Sequence, residues 1–449
     1  MRVAIIGAGI SGLALAYYLQ KLGVAYDLFE AGEEVGGNIR SVRKGGYLLE
    51  FGPNSLQNTP ELEQLVQELK LETEVMPARA AGANRFVVRD GSFQKLPTSP
   101  LSMLSNKYFT WKTKYRILKE KDIPVATSSY ETVNQFVERR FGPDLKDYVV
   151  DPFVSGVYAG DPDKLLMHKA FPKIKELETK YGSVLKGLTQ HKNKSRREKH
   201  FSFAEGMQTL PNAIAKKLIS LHTGHKVEMI TRSQGKYIIS CNVPGDHDSE
   251  EYDLLVIALP AMQAAELLLY TFPGMSAALN NIDYPPMAVV HTVYNRADVK
   301  YVLNGFGAFH PKTEAPFAAG SVWSSSLFDG RCRPHEVMFT TFVGGAQYPE
   351  NALCEKEELQ QRVHHELTEK YSIRSGKPVF QHVHVWKQAI PQYDMYIEDA
   401  HELARRLQPE GLYIAANWQA GISVSGCIHH SKELAYKINL KRSSPSIAD

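Results

Sequence analysis

A chain of 449 residues is longer than one hydrophobic core organises, since single cores stop growing near ~250–300 residues, and two or three lobes are predicted. Its 43% hydrophobic and 22% charged content excludes a disordered or fibrous protein, and a net charge of +3 gives no basis for a nucleic-acid partner. No stretch reaches the ~18 uninterrupted apolar residues of a membrane span, the best candidate, Leu254 to Leu259, being stopped by Pro260. The cysteines, Cys241, Cys332, Cys354 and Cys427, are far apart and form no C-x-x-C, which argues against a disulfide framework or a zinc site and fits a reducing cytoplasm.

Arg2 and the apolar run to Leu19 have the outline of a secretion signal, but glycines at fixed spacing and a second strand pattern argue against it. Arg2 to Ile6 instead predicts a short buried strand. Gly7-Ala8-Gly9-Ile10-Ser11-Gly12 then turns into a helix from Leu13 to Leu22, and a second strand, Ala25 to Phe29, ends on Glu30. In a dinucleotide fold the first glycine makes the turn, the second admits a pyrophosphate and the third packs helix on strand. The helix N-terminus faces the phosphates, and Glu30 is placed to accept hydrogen bonds from a ribose diol. With a carboxylate at position 30 and Ala31 after it, a 2′-phosphate would be repelled, which disfavours NADP.

Downstream, Glu33-Glu34-Val35-Gly36-Gly37-Asn38-Ile39-Arg40 supplies another glycine pair for close backbone approach and a cation for the pyrophosphate. Gly45-Gly46-Tyr47-Leu48-Leu49-Glu50-Phe51-Gly52-Pro53-Asn54-Ser55 follows. In these elements the chain resembles the flavin amine oxidase superfamily. The resemblance implies FAD as cofactor, held by Gly7 to Gly12, Glu30, Ala31, Gly37, Asn38, Arg40 and Gly52 to Ser55.

Ala83-Asn84-Arg85-Phe86-Val87, Leu96-Pro97 and the stretch from Val149 to Pro162 (VVDPFVSGVYAGDP) are similar to the protoporphyrinogen oxidase branch in particular. From the residues alone, Pro152, Gly156 and Gly160 predict a bend rather than one regular helix, with Gly156 open to close approach by something large. Phe171 to His200 is basic, nine Lys or Arg against three Glu. This is either a solvated surface or an attraction for anionic membrane or substrate.

A helix from Pro211 and strands at Lys226 to Ile230, Lys236 to Asn242 and Leu254 to Ala258 predict a return to the nucleotide domain; the resemblance gives Val227 a backbone contact to adenine. Alternating β-branched segments between Ile282 and Phe342 predict an antiparallel sheet, and Glu355 to Tyr371 an amphipathic helix. The strand Val379 to Trp386 leads into W-x-x-x-x-P-x-Y, from Trp386 to Tyr393, a segment the resemblance puts beside the flavin. Many relatives continue with a G-H pair where this chain has Tyr396-Ile397-Glu398-Asp399-Ala400. The strand from Gly411 to Ala415 and the turn into a last helix repeat the physics of the opening, and the resemblance assigns Ile422, Ser423 and Val424 to backbone contacts with the flavin ring.

The expected fold is α/β. It has a discontinuous Rossmann-like FAD-binding domain (1–80, 206–282, 386–449), a helical substrate- or membrane-facing subdomain with sheet strands (81–205) and an antiparallel substrate sheet (283–385). The implied activity is oxidation of protoporphyrinogen IX to protoporphyrin IX by hydride transfer to flavin N5, with oxygen or another acceptor; coproporphyrinogen III is the alternative. Arg85 is the candidate cation for substrate propionates, Gly156 shapes the pocket, and no obligatory general base is expected. Peripheral membrane contact through the Lys107 to Lys121 and Lys173 to Lys199 stretches is a further expectation, and the oligomeric state, a homodimer included, stays open. An amine oxidase, a carotenoid desaturase and a flavoprotein that binds tetrapyrrole without turnover are the rivals. His382 and His384 share a strand face, but the sequence offers no third metal ligand.

Overall fold

The computed structural model describes residues 1–97, 102–103, 108–190, 200–242 and 250–443. The opening unit folds as read. Strand β1 (Arg2–Ile6), helix α1 (Ile10–Lys21) and strand β2 (Ala25–Phe29) form a β-α-β unit with β1 and β2 parallel, and Leu13 through Leu19 of α1 are all buried. A helix apolar all round must be covered all round, and α1 lies between the sheet and the C-terminal helix Val424–Ser443, where Ser431 Oγ donates to the Ser11 carbonyl at 2.9 Å. β1 and β2 belong to a five-stranded parallel sheet in the order Leu221–His222, β2, β1, Leu254–Ile257, Leu412–Ile414, so its strands come from three separate stretches of chain. The predicted strands at 226 and 236 form a three-stranded antiparallel sheet with Glu250–Tyr252.

The second large sheet has seven strands in the order Phe380–Trp386, Met287–Asn295, Glu336–Gly344, Ala318–Val322, Gly307–Phe309, Arg85–Arg89, Ser92–Lys95. All pairs are antiparallel except Gly307–Phe309 with Arg85–Arg89. Period-two alternation sends Ala288, Val290 and Tyr294 to one face, packed on Leu359, Val363, Leu367 and Tyr371 of the helix Lys356–Tyr371. The other face meets the hairpin Ser41–Lys44/Tyr47–Glu50 and Phe51.

Between the strands Ser92–Lys95 and His200–Phe203 lies a helical lobe that includes Trp111–Leu118, Val133–Phe141, Pro172–Tyr181 and Val184–Gln190. Arg140 is its electrostatic centre. It pairs with Glu120 and, at 2.6 Å, with Glu178, all three side chains being fully buried. The stretch from Val149 departs from the predicted bend. A π turn over Lys146–Val150 runs directly into the α-helix Asp151–Tyr158, so the chain stays helical through Pro152 and Gly156 and turns only at Ala159, which is left-handed at φ +49°. The π turn just ahead of it, a local widening of the helical ladder, accommodates Pro152, which has no N–H to donate there. The large group that approaches Gly156 is internal: a Cβ there would lie 2.5 Å from the ring of Phe309. No helix of the described residues is long and apolar enough to cross a membrane.

Candidate cofactor and substrate site

Each glycine of the opening motif meets a different geometric demand. Gly7 has φ +105°, which opens the turn. A Cβ on Gly12 would lie 2.0 Å from the Gly7 carbonyl oxygen, so only glycine lets α1 sit this close to β1. A Cβ on Gly9 would meet nothing within 4 Å, and Gly9 caps α1 without a side-chain hydrogen bond, leaving N–H groups of its first turn for an anion. Glu30 ends β2 beside them. Its Oε2 accepts from Ala8 N at 2.8 Å and its Oε1 from Gly32 N at 2.9 Å, with lone pairs left for hydroxyls; Ala31 is exposed next to it. These features fit a dinucleotide.

The second glycine pair completes the cradle from across. Gly36 bridges to Gly9, donating to the Ala8 carbonyl at 2.9 Å, and a Cβ on Gly37 would come within 3.4 Å of Gly9 Cα. Asn38 donates to the Ala389 carbonyl at 3.4 Å, while Arg40 is half exposed and 3.6 Å from Glu34. Gly52 crosses over Asn38 so tightly that a Cβ would lie 2.0 Å from the Asn38 carbonyl oxygen, which leads Pro53, Asn54 and Ser55 along the same cradle.

What holds this loop is a group the sequence did not reveal. Glu50 is buried and accepts from Ser41 Oγ at 2.5 Å, from Met207 N at 3.0 Å and from Arg331 at 3.2 Å, joining partners as much as 281 residues away. Burial pushes its carboxyl up in spite of Arg331. Trp386, on the edge strand of the large sheet, donates its indole N–H to the Phe51 carbonyl at 2.7 Å. At the far end Gly421 has φ +91° with open space beside its Cα, and its N–H donates to the Tyr393 hydroxyl at 2.8 Å, which in turn donates to the Asn417 carbonyl. Tyr393 closes the W-x-x-x-x-P-x-Y segment, so its signal was present. Ile422 packs on the core, Ser423 Oγ accepts from Gly426 N at 3.0 Å, and Val424 opens the last helix. Val227 lies on the strand Lys226–Ser233 against Cys241.

Arg85 begins its sheet strand half-buried, its guanidinium 4.8 Å from the Phe306 ring centre and one nitrogen 3.1 Å from His200 Nε2. Arginine can only donate, so Nε2 accepts and the ring proton is on Nδ1, which faces Ser55 Oγ at 3.4 Å. Burial, then Arg85, pushes the His200 imidazole down to about 4 and keeps it neutral. Gly156, on the helix Asp151–Tyr158, packs on Phe309 of the strand that pairs with the Arg85 strand, and Phe153 and Val157 of that helix stay partly exposed. Surface cavities of about 510 and 480 Å³ lie elsewhere, around Lys169, Glu398 and His430 and around Arg79, Asp329 and Arg333. Lys169 there is paired with Glu398 at 2.8 Å and Arg333 with Glu336 at 3.2 Å, and the residues lining the two cavities do not include the glycine cradle.

A two-stranded entry into a glycine cradle, an acidic end to β2 and a cradle completed from the far terminus define an FAD-type dinucleotide site. The sequence matches the family described as flavin containing amine oxidoreductase over residues 10–439, and the chain belongs to that family. It is 32% identical to the mitochondrial protoporphyrinogen oxidase of Nicotiana tabacum over 95% of this chain and 93% of that one, and 29% identical to protoporphyrinogen oxidase of Homo sapiens over 97% and 98%. A crystal structure assigned as a protoporphyrinogen oxidase from Exiguobacterium sp. 255-15 superposes with a TM-score of 0.77 at 21% identity, covering 98% of this chain and 99% of that one. The cofactor is FAD and the protein is an oxidoreductase.

Proposed function

We propose that the chain oxidises a porphyrinogen to a porphyrin, protoporphyrinogen IX in the first place and coproporphyrinogen III as the alternative within the same chemistry. The observation that carries this is the similarity to protoporphyrinogen oxidases along nearly the whole of both chains. Bound FAD supplies the hydride acceptor at N5, with oxygen as the proposed terminal acceptor. The chain's own residues bind and orient. Gly9, Gly36 and Gly37 hold the dinucleotide, Glu30 its ribose, and Trp386, Gly421 and Ser423 the region of the ring. Arg85 is the cation for a substrate carboxylate, and His200 and Phe306 hold it in place. The exposed apolar side chains of Phe153 and Val157 offer a wall for a flat macrocycle. No general base is assigned.

Two finer readings belong with this one. The domain division at 80, 205, 282 and 385 is proposed as the working plan of the chain. A cytoplasmic location, peripheral on the membrane's inner face, draws support from the helix Trp111–Leu118, where Trp111, Tyr115 and Leu118, at 84%, 65% and 58% exposure, line one side next to Lys112 and Lys119. Lys107 and residues 191–199 of the two basic stretches lie outside the described residues.

The test is porphyrin fluorescence after FAD-loaded protein meets protoporphyrinogen and, separately, coproporphyrinogen, each corrected for spontaneous oxidation. A rate with either is expected, the faster naming the substrate, and Arg85→Ala should raise KM at least tenfold. Absence of any rate with flavin bound would sink the reading.

A further inference from the structure

The surface cavity of about 480 Å³ is walled by four arginines, Arg79, Arg296, Arg331 and Arg333, against two carboxylates, Asp329 and Glu336. Each carboxylate is already committed, Asp329 to Arg79 and Glu336 to Arg333 at 3.2 Å. Arg331 is paired at 3.2 Å with Glu50, which does not line the cavity. Arg296 stands apart from the other three. Its Nη1 donates to the Val299 and Tyr301 carbonyls at 2.9 and 3.4 Å, and it forms no ion pair among the described residues.

Guanidinium groups gathered round one hollow repel one another, and an oxyanion placed among them offsets that repulsion. The fork of N–H donors on arginine matches carboxylate and phosphate oxygens, and no lysine lines this cavity among the described residues. Arg79 and Arg333 are half exposed, so their donors are open to a ligand arriving from solvent. Gly330, on the same wall, is left-handed at φ +73°, and a Cβ on it would meet nothing within 4 Å, which leaves its backbone open to close approach. Burial foremost works against the charge of Arg331, with Arg43 adding to it, and Glu50 offsets this only in part.

Two of these arginines also grip the hairpin Ser41–Lys44/Tyr47–Glu50. Arg331 donates to Glu50 and, at 2.6 Å, to Ser202 Oγ, while its carbonyl accepts from Leu48 N at 3.1 Å. Arg333 donates to the Tyr47 hydroxyl at 3.0 Å. We propose that the cavity is a binding site for a small oxyanion with two or more negative charges, borne on phosphate or on carboxylate groups, and that its occupancy holds the segment from Arg331 to Arg333, and through it the hairpin, more firmly. Neither Arg85 nor the glycine cradle lines the cavity, so the inference is independent of the porphyrinogen reading.

FAD-loaded protein is titrated by calorimetry with inorganic phosphate and, separately, with citrate at constant ionic strength. The wild type is compared with Arg296→Gln, Arg79→Gln and, from the other cavity, Arg405→Gln, with thermal melting alongside. A single saturable site is expected in the wild type, the tighter anion naming the class of ligand. Arg296→Gln and Arg79→Gln should each weaken it about tenfold or more. Arg405→Gln removes the same charge from an exposed position elsewhere and should leave it unchanged. Saturation with the tighter anion should slow amide exchange over residues 41–50. No saturable heat with either anion, wild-type affinity in Arg296→Gln, or equal weakening in all three variants would overturn the site, and unchanged exchange over 41–50 with the anion bound would overturn its link to the hairpin. Should Arg296→Gln melt far below the wild type, Arg79→Gln decides by the same titration.

Discussion

Gly12 lies so close beneath Gly7 that a methyl group on it would sit 2.0 Å from the Gly7 carbonyl oxygen, whereas one on Gly9 would touch nothing within 4 Å. The two substitutions should therefore separate fold from cofactor. Gly12→Ala forces helix and strand apart and should cost about 1–3 kcal/mol of stability. Gly9→Ala should leave apo-protein stability within about 0.5 kcal/mol while weakening FAD at least tenfold. Melting of the apo protein and flavin titration check both; equal loss of stability in the two variants would refute the assignment.

The Arg140 group predicts how the helical lobe meets acid. Burial favours the protonated form of Glu178, but Lys175, Arg139 and Arg140 outweigh it and hold the carboxyl below its ordinary 4.5. A depressed carboxyl contributes stability that is complete above about pH 4.5 and lost as pH falls through the lower folded value. The lobe should loosen in that window. Arg140→Met, which strands Glu120 and takes one partner from Glu178, should cost about 3–5 kcal/mol. Amide exchange over residues 133–190 reads both effects.

His200 gives a second pH prediction, of the same sign but in a higher window. Its imidazole is neutral in the folded protein down to about 4, against 6.5 in the unfolded chain. Between those values the unfolded state binds the extra proton, so stability falls as pH drops from 6.5 toward 4. The contact to Arg85 is intact throughout pH 5.5–8. The KM for porphyrinogen should show no step near 6.5 from this residue, and a step there that His200→Gln removes would count against the neutral assignment.

The exposed face of Trp111, Tyr115 and Leu118 predicts binding to anionic vesicles at low salt that weakens as salt rises. Replacing Trp111 and Tyr115 by Ser should reduce co-sedimentation severalfold and leave porphyrinogen turnover in detergent unchanged. Equal pelleting of variant and wild type would remove this helix from the membrane reading.

Where local chemistry decides structure, the sequence was readable. Glycine spacing and the acid at position 30 located β1, α1 and β2 to within a few residues, because each glycine answers a steric demand of its own neighbours. Pro152 misled, since a π turn directly before it accommodates the proline inside a continuous helical run. The tie from Glu50 to Arg331 and the link from Arg85 through His200 to Ser55 join residues with no periodic relation.

The bond from Ser431 to Ser11 spans 420 residues of chain. At ~5–20 residues per second a ribosome needs roughly 20–80 s to cover that distance. For all of that time α1, apolar on every side, is out of the tunnel without its covering helix, and the cradle lacks Gly421 and Ser423. On the proposed assignment of Gly421 and Ser423 to the cofactor, the complete FAD site forms only once the last helix has been made.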